Sequence, residues 1–427
     1  MLKHLIHLVW NQRKHNTWLW AELMLVILCL WYVALSLYNN YCSYTAPLGF
    51  DISHTYRLDV APRDSDAEGY IPFDASNPGT GYNLMELVER LRHLEGVEGV
   101  SLSITSHPYN AMSNYAQAYV DTTATHLLWY RVTDSFFDVF RIQAADGSSL
   151  RGKLTDSSVI LTQDAAEKMF PASSNAAGKS LDLFQLGEHA TVAAVSTPVS
   201  YAEFYGCTPS VYTLLTDKTI ETGINSDNLD MVEICIRMRA EADSPDLPEK
   251  FLTTYSSRLG VGNLYLKDVR PVEYLRSDLI SSGVNRMRLD ILLAGFLLVS
   301  VFLGVTGTFL FRTRQRQPEL ALRLALGASR QRLLILLVGE GGVLFILALL
   351  PAMLIAWNLF YATGGMISSG TSFGLSMEET GAFVRFGRFL VAMAISSVLT
   401  ILMMLIGILF PAVRAMGIHP AEALHEE

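Results

Sequence analysis

The sequence predicts a membrane protein of α-helical class, with four transmembrane helices and a large extracytoplasmic α+β domain inserted between the first and second. Three observations predict it. Half of the 427 residues are hydrophobic and only 17% are charged, with a positive mean hydropathy, which is too apolar for an ordinary soluble enzyme. Four apolar runs are long enough to cross a hydrocarbon core of about 30 Å. Charge is also segregated: residues 39–290 hold 33 acidic and 20 basic side chains, whereas the remainder of the chain is net positive.

Residues 1–17 place Leu2, Leu5, Ile6, Val9 and Trp10 at helical spacing, as in a short helix lying on the inner membrane face. His4 and His7 have ligand-like spacing but no third partner, so they read as solvated polar-face residues rather than a metal site. The first span is 18–38. Its apolar run is too long for a signal peptide, no small-residue cleavage site follows it, and Tyr38, Asn39, Asn40 and Tyr41 come next, so the segment reads as an uncleaved anchor. Glu22 sits near its start, within reach of the interface.

The other spans, 289–311, 333–357 and 389–410, crowd into the last third. Lys3, Arg13 and Lys14 precede the first span. Arg312, Arg314, Arg316, Arg323, Arg330 and Arg332 fill the connection 312–332, and Arg414 opens the tail 411–427. By the positive-inside rule these are cytoplasmic, which puts 39–288 and the short loop 358–388 outside. Arg385 and Arg388 run against the rule. Within the second span Ser300, Gly304 and Thr308 form a small-residue stripe suited to close helix packing, here taken as a contact with a second chain.

The block 39–288 carries β-type runs at 159–162, 190–195 and 231–238 and helical patterns at 82–94 and 163–169. It is large enough for one or two cores. Its acidity gives no footing for nucleic acid. Of four cysteines, Cys207 and Cys235 admit two readings, a disulfide in an oxidising compartment or free thiols. Asp64, Asp66 and Glu68 read as a solvated acidic loop. The stretch from Ser173 to Ser180 lacks the first glycine of a phosphate-cradling loop, which leaves Lys179 as a surface residue entering a strand. No catalytic motif is visible, so no catalytic residue, metal site or cofactor of its own is expected, and the chain reads as a non-enzyme.

The cytoplasmic connection is the most informative stretch. Pro318 suits a first helical position, and Glu319 complements the dipole in the first turn. Leu320 and Leu324, with Ala321 and Ala325, form an apolar stripe, while Arg323 stays on the wet side. Gly327 permits a helix end, and Ser329 can cap the next helix. Electrostatic anchoring alone is the competing reading, but anchoring does not require capped helical geometry. In the third span Glu340 lies seven residues into an apolar run; it either faces the bundle interior or sits close enough to the interface to be solvated.

Arg314, Glu319, Leu320, Leu322, Arg323, Ala325, Leu326, Gly327, Ala328 and Ser329, followed by Glu340, resemble the hallmark of the MacB/FtsX-like permeases of ATP-binding-cassette (ABC) systems. The spacing from Arg314 departs by a residue or two, and Pro318 replaces a residue that is often charged. Pro411, Arg414, Pro420 and Glu422 match the family's closing motif. Residues 134–147, 159–171 and 176–183 look like pieces of the MacB-like periplasmic core domain. The resemblance implies a permease subunit of a bacterial inner-membrane system. Glu319 to Ser329 would be the coupling helix that docks into a separate ATPase, with ATP and Mg bound in that partner. It further implies mechanotransmission through the second span, a dimer with a second permease chain, and export or extraction of a peptide, lipoprotein or toxic small molecule. An adaptor or outer-membrane channel is a further implied partner. Two other functions stand beside it: an FtsX-like regulator of a cell-wall hydrolase, and a ligand sensor without an ATPase.

Overall fold

The computed structural model describes residues 13–74, 77–120, 123–171, 176–184, 188–205, 207–315, 322, 329–363 and 382–416. The chain divides into two compact units, Thr45–Ser282 and the pair of segments Met1–Tyr44 and Gly283–Glu427.

The first unit is α+β and contains, among the described residues, ten strands: β1 (Thr55–Pro62), β2 (Val97–Ile104), β3 (Tyr115–Val120), β4 (Thr123–Val132), β5 (Ser158–Thr162), β6 (Ser180–Leu183), β7 (Glu188–Ser196), β8 (Ser210–Leu214), β9 (Val232–Met238) and β10 (Leu264–Pro271). Their order is β10-β1-β9-β2-β4-β3-β6-β7-β5-β8, and a further parallel pairing of β4 with β8 brings the last strand back to the fifth. Six strands thus close into a ring, while β10-β1-β9-β2 form an open antiparallel sheet. Ladder pairing between sheet and ring is confined to Ser103 and Ile104 against Val132 and Arg131.

Each part has its own core. On the open sheet, Leu84, Leu87, Val88 and Leu91 of the helix Thr80–Arg92 pack against Val100, Leu102, Ile234 and Ile236. Those four leucines and valines recur at helical spacing, which is why the helix presents one apolar face. The ring encloses Ala116, Ala118, Leu127, Val159, Leu161, Val192 and Val211. Small residues on β3 leave room for larger ones opposite, as close packing in so narrow a space requires. Phe136, Phe137 and Phe140, around the helical turn Phe136–Val139, fill a third cluster with Tyr212 and Cys235.

The second unit is built from long helices, here α1 (Arg13–Thr45), α6 (Val272–Gln315), α7 (Arg330–Ala362) and α8 (Ala382–Met416), numbered together with four helices of the α+β unit, α2 (Thr80–Arg92), α3 (Phe136–Val139), α4 (Gln163–Met169) and α5 (Asp217–Gly223); the single turns at Leu247–Lys250 and Ser256–Leu259 are left unnumbered. All four long helices contain a stretch long and apolar enough to cross a membrane. Each outruns its apolar run. Hydrocarbon thickness limits the apolar side chains, whereas the i to i−4 backbone ladder continues into polar sequence. The 44 residues of α6 would extend about 66 Å at the usual rise per residue. The helices accordingly run past the expected spans 333–357 and 389–410: α7 continues to Ala362, α8 starts at Ala382, and Pro411 lies inside α8.

The helices share one core. Leu19, Leu23, Ile27, Leu30, Trp31 and Leu35 of α1 are buried with residues of the other three. Trp31 meets Phe389 edge-on at 5.5 Å, and Trp357 meets the same ring at 5.3 Å. Trp20 donates from its indole nitrogen to the Leu347 carbonyl at 2.9 Å.

Candidate functional site

Of the predicted coupling segment, Glu319, Leu320, Arg323, Ala325, Leu326, Gly327 and Ala328 lie outside the described residues, as do Pro420 and Glu422. Leu322 is exposed. Ser329 caps α7 from its N-cap position: the hydroxyl accepts from the Arg332 amide at 3.4 Å, and the Ser329 carbonyl accepts the same amide at 3.0 Å. A defined helix start therefore stands at the end of the arginine-rich connection.

Inside the bundle, Glu340 is 1% exposed on α7. Its neighbour Gly341 meets Ile408 of α8 so closely that a Cβ would collide with it. Gly407 of α8 is similarly covered by Val305, whose Cγ1 lies 3.0 Å from where a Cβ would be. The small-residue stripe behaves differently from its assigned role. Gly304 faces the Glu22 carboxylate of α1, and a Cβ there would run into it. The contact with a second chain is thus corrected at Gly304, because that surface is filled from within the chain; Ser300 and Thr308 beside it are half-buried. The exposed row on α6 is Leu292, Phe296, Val299 and Leu303.

Polar contacts also join helix ends. Ser36 of α1 donates to Asp290 of α6 at 2.7 Å, with both residues buried. Arg388, which opposed the charge rule, donates to Asn39 at 3.3 Å. Pro411 and Ala412 are buried in α8, which also carries Arg414.

The α+β unit contains two buried carboxylates that reading the sequence missed. Glu233 of β9 is 3% exposed and accepts from Ser103 Oγ at 2.8 Å, the Ser106 amide at 2.7 Å, the His107 amide at 2.8 Å and Asn110 Nδ2. Four donors satisfy a charge that burial alone would make costly. They fix the loop that follows β2, in which Thr105 and Tyr109 adopt left-handed backbone. For residues of that size such geometry costs about 1–3 kcal/mol and persists only where surroundings enforce it.

Glu203 is the second, 3% exposed and bound by Arg276 Nε at 2.6 Å. Burial, followed by the Glu203 charge, pushes the neighbouring Tyr109 phenol well above its ordinary range. A third node is Arg237, which donates to the Val139 and Asp51 carbonyls at 2.6 Å each and pairs with the Asp51 carboxylate at 3.2 Å. Burial lowers the Arg237 guanidinium, while Asp51 works against that fall.

The cysteine question resolves to free thiols, so the disulfide reading is corrected. Cys235 is buried mid-strand in β9, and Cys207 is exposed beside Ser200. The Asp64 to Glu68 cluster is an exposed turn, closed by the Ala67 amide on the Asp64 carbonyl at 3.1 Å. Lys179 is half-buried before β6, with its ammonium 5.0 Å from the Phe170 ring centre. A cavity of about 580 Å³ opens along β2, rimmed by Glu98, Asp134, Asp138 and Arg151. Its charges are largely matched within the chain: Arg151 pairs with Asp138 at 2.9 Å and Arg141 pairs with Glu98.

Comparison with known proteins adds the following. Residues 291–420 match the family model described as FtsX-like permease C-terminal. No curated protein matches the chain. Among solved structures, the periplasmic region of MacB from Actinobacillus actinomycetemcomitans aligns at 15% identity and a TM-score of 0.33, over 56% of this chain and 94% of that one. The extracellular domain of the noncanonic ABC-type transporter YknZ from Gram-positive bacteria aligns at 17% identity and a TM-score of 0.31, over 50% of this chain and all of that one. The family match falls on the three helices α6, α7 and α8 and on the arginine-rich connection between the first two. Residues 291–420 of this chain are thus similar to the C-terminal part of FtsX-like permeases.

Proposed function

We propose that this chain is the membrane subunit of an ABC-type system that couples ATP hydrolysis in a separate ATPase to movement of its α+β unit on the outer side of the membrane. The observation that carries this reading is the FtsX-like permease match over 291–420, in a chain that inserts an α+β unit between its first and second long helices. Glu319 to Ser329 is the coupling element gripped by the ATPase, and ATP and Mg belong to that partner. Both termini are cytoplasmic, by the arginine distribution. A second permease chain meets the exposed α6 row of Leu292, Phe296, Val299 and Leu303, which otherwise faces lipid. The work done outside is extrusion or extraction of a peptide, lipoprotein or toxic small molecule, with or without an adaptor or outer-membrane channel.

The test is purification of the intact protein in mild detergent with mass spectrometry of what accompanies it, repeated for Glu319→Ala and Arg323→Ala. An ATPase that co-purifies, and whose stimulation by the permease falls at least tenfold in either variant while membrane insertion is unchanged, is the expected result. Absence of any ATPase, or indifference to both substitutions, refutes the reading in favour of a ligand sensor.

A further inference from the structure

Two stretches of backbone join the α+β unit to the long helices: the one that enters it at Thr45 and the one that leaves through the first turns of α6. Both are held by one short segment, residues 198–204. On the entering side, the Ser200 amide donates to the Leu48 carbonyl at 2.9 Å. Gly49, in left-handed backbone at φ 81°, lies so close to Pro198 that a Cβ would strike the Pro198 carbonyl. On the leaving side, the buried carboxylate of Glu203 binds Arg276 at 2.6 Å.

Tyr109 adds a second tie. Its ring meets Phe50 of the entering stretch edge-on at 5.6 Å, and its hydroxyl lies beside the Glu203–Arg276 pair. The loop carrying Tyr109 is itself pinned to β9 through Glu233. Strain collects here too: Tyr109 and Phe204 adopt φ of 63° and 71°, a left-handed geometry unfavourable for aromatic residues. Departures of this kind cluster at parts of a fold that switch between arrangements.

We infer that residues 198–204, with Glu203 as the gripping group, form a clasp that makes the two backbone crossings move together. The inference deepens the permease reading and rests on it only for its use: a displacement arriving along α6 through Arg276 reaches the α1 side without passing through the sheet. An ion pair is suited to this role, because a buried charge that loses its partner is strongly disfavoured and the joint is therefore either closed or open.

Hydrogen–deuterium exchange on the full chain in lipid nanodiscs tests the clasp without any ATPase. Arg276→Met removes the charge and keeps much of the side-chain bulk, and Glu203→Gln is close to isosteric. Each is expected to raise exchange at least tenfold in peptides covering 45–51 and 272–282 together, although Arg276 belongs only to the second. Peptides from α2 should stay within twofold of wild type, and Arg276→Lys should preserve protection within about threefold. A response confined to 272–282, a rise spread evenly over the whole α+β unit, or Arg276→Lys behaving like Arg276→Met would each overturn the clasp. Failure to find an ATPase would remove the permease reading while leaving this exchange result untouched.

Discussion

Ser36 of α1 donates a 2.7 Å hydrogen bond to the Asp290 carboxylate of α6, and both residues are buried, Ser36 near the C-terminal end of the first apolar run and Asp290 at the start of the second. The bond ties the anchor helix to the helix that follows the whole α+β insertion, 254 residues later. Ser36→Ala leaves the carboxylate short of a donor and should destabilise the helix unit by about 1–3 kcal/mol. Asp290→Asn, which retains an acceptor for Ser36, should cost less. Thermal unfolding of both variants in detergent checks the order; equal losses would mean that the bond contributes little.

Gly304 and Glu22 occupy the same space from opposite helices. Gly304→Ala should therefore cost about 1–3 kcal/mol by overpacking. In a Glu22→Ala background the same change should be nearly neutral. A double-mutant cycle on unfolding free energy reads the coupling directly, and additive effects would contradict the contact.

The free cysteines give a chemical test. Cys207 is exposed, whereas burial pushes the Cys235 thiol up and hides it from reagents. A maleimide should modify Cys207 of the folded protein rapidly and Cys235 only after unfolding. With a membrane-impermeant maleimide, Cys207 should react from outside the membrane, as an extracytoplasmic α+β unit requires; reaction only after the membrane is opened would reverse the proposed orientation.

Acid should loosen the α+β unit through two carboxylates. Burial alone would raise Asp51, but hydrogen bonds from Ser53 and Arg237 and the Arg237 charge carry it below the ordinary range. Asp243 is likewise carried down against burial by Tyr56 and His54. A folded-state value below the unfolded one means a contribution that is complete above the unfolded carboxylate range, near pH 4, and is lost as pH falls through the depressed folded values. Asp51→Asn and Asp243→Asn should each flatten the fall in unfolding temperature between about pH 5 and pH 2; unchanged slopes would assign the acid sensitivity to other groups.

What could be read in the sequence was local. The helix at 163–169 emerges with the bounds its pattern indicated, because Ala165, Ala166 and Met169 form one buried face. The run at 159–162 sits inside strand β5, which begins one residue earlier. Ring closure was not legible, since the parallel pairing of β4 with β8 joins Leu128 to Ser210 and neighbouring residues, and no short-range pattern encodes such a pairing. The Glu233 clamp draws donors from more than 120 positions upstream. One signal for it was present: Glu233 is an acid in a strand whose every residue is buried, and burial on both faces obliges an ionised side chain to find donors. Arg276 gave none, because an arginine in the first turns of a helix is ordinarily solvated. The helix ends lie beyond the expected spans because hydropathy reports where side chains meet lipid and says nothing of where the backbone ladder stops.

Closing six strands on themselves removes most of the free margin in that half of the α+β unit onto which a foreign strand could add. Among the described residues, the open margins of the β structure include the outer side of β10 and the first part of β2. A peptide captured by backbone augmentation, or a misassembly between unfolded neighbours, finds an unpaired backbone edge at either of those seams.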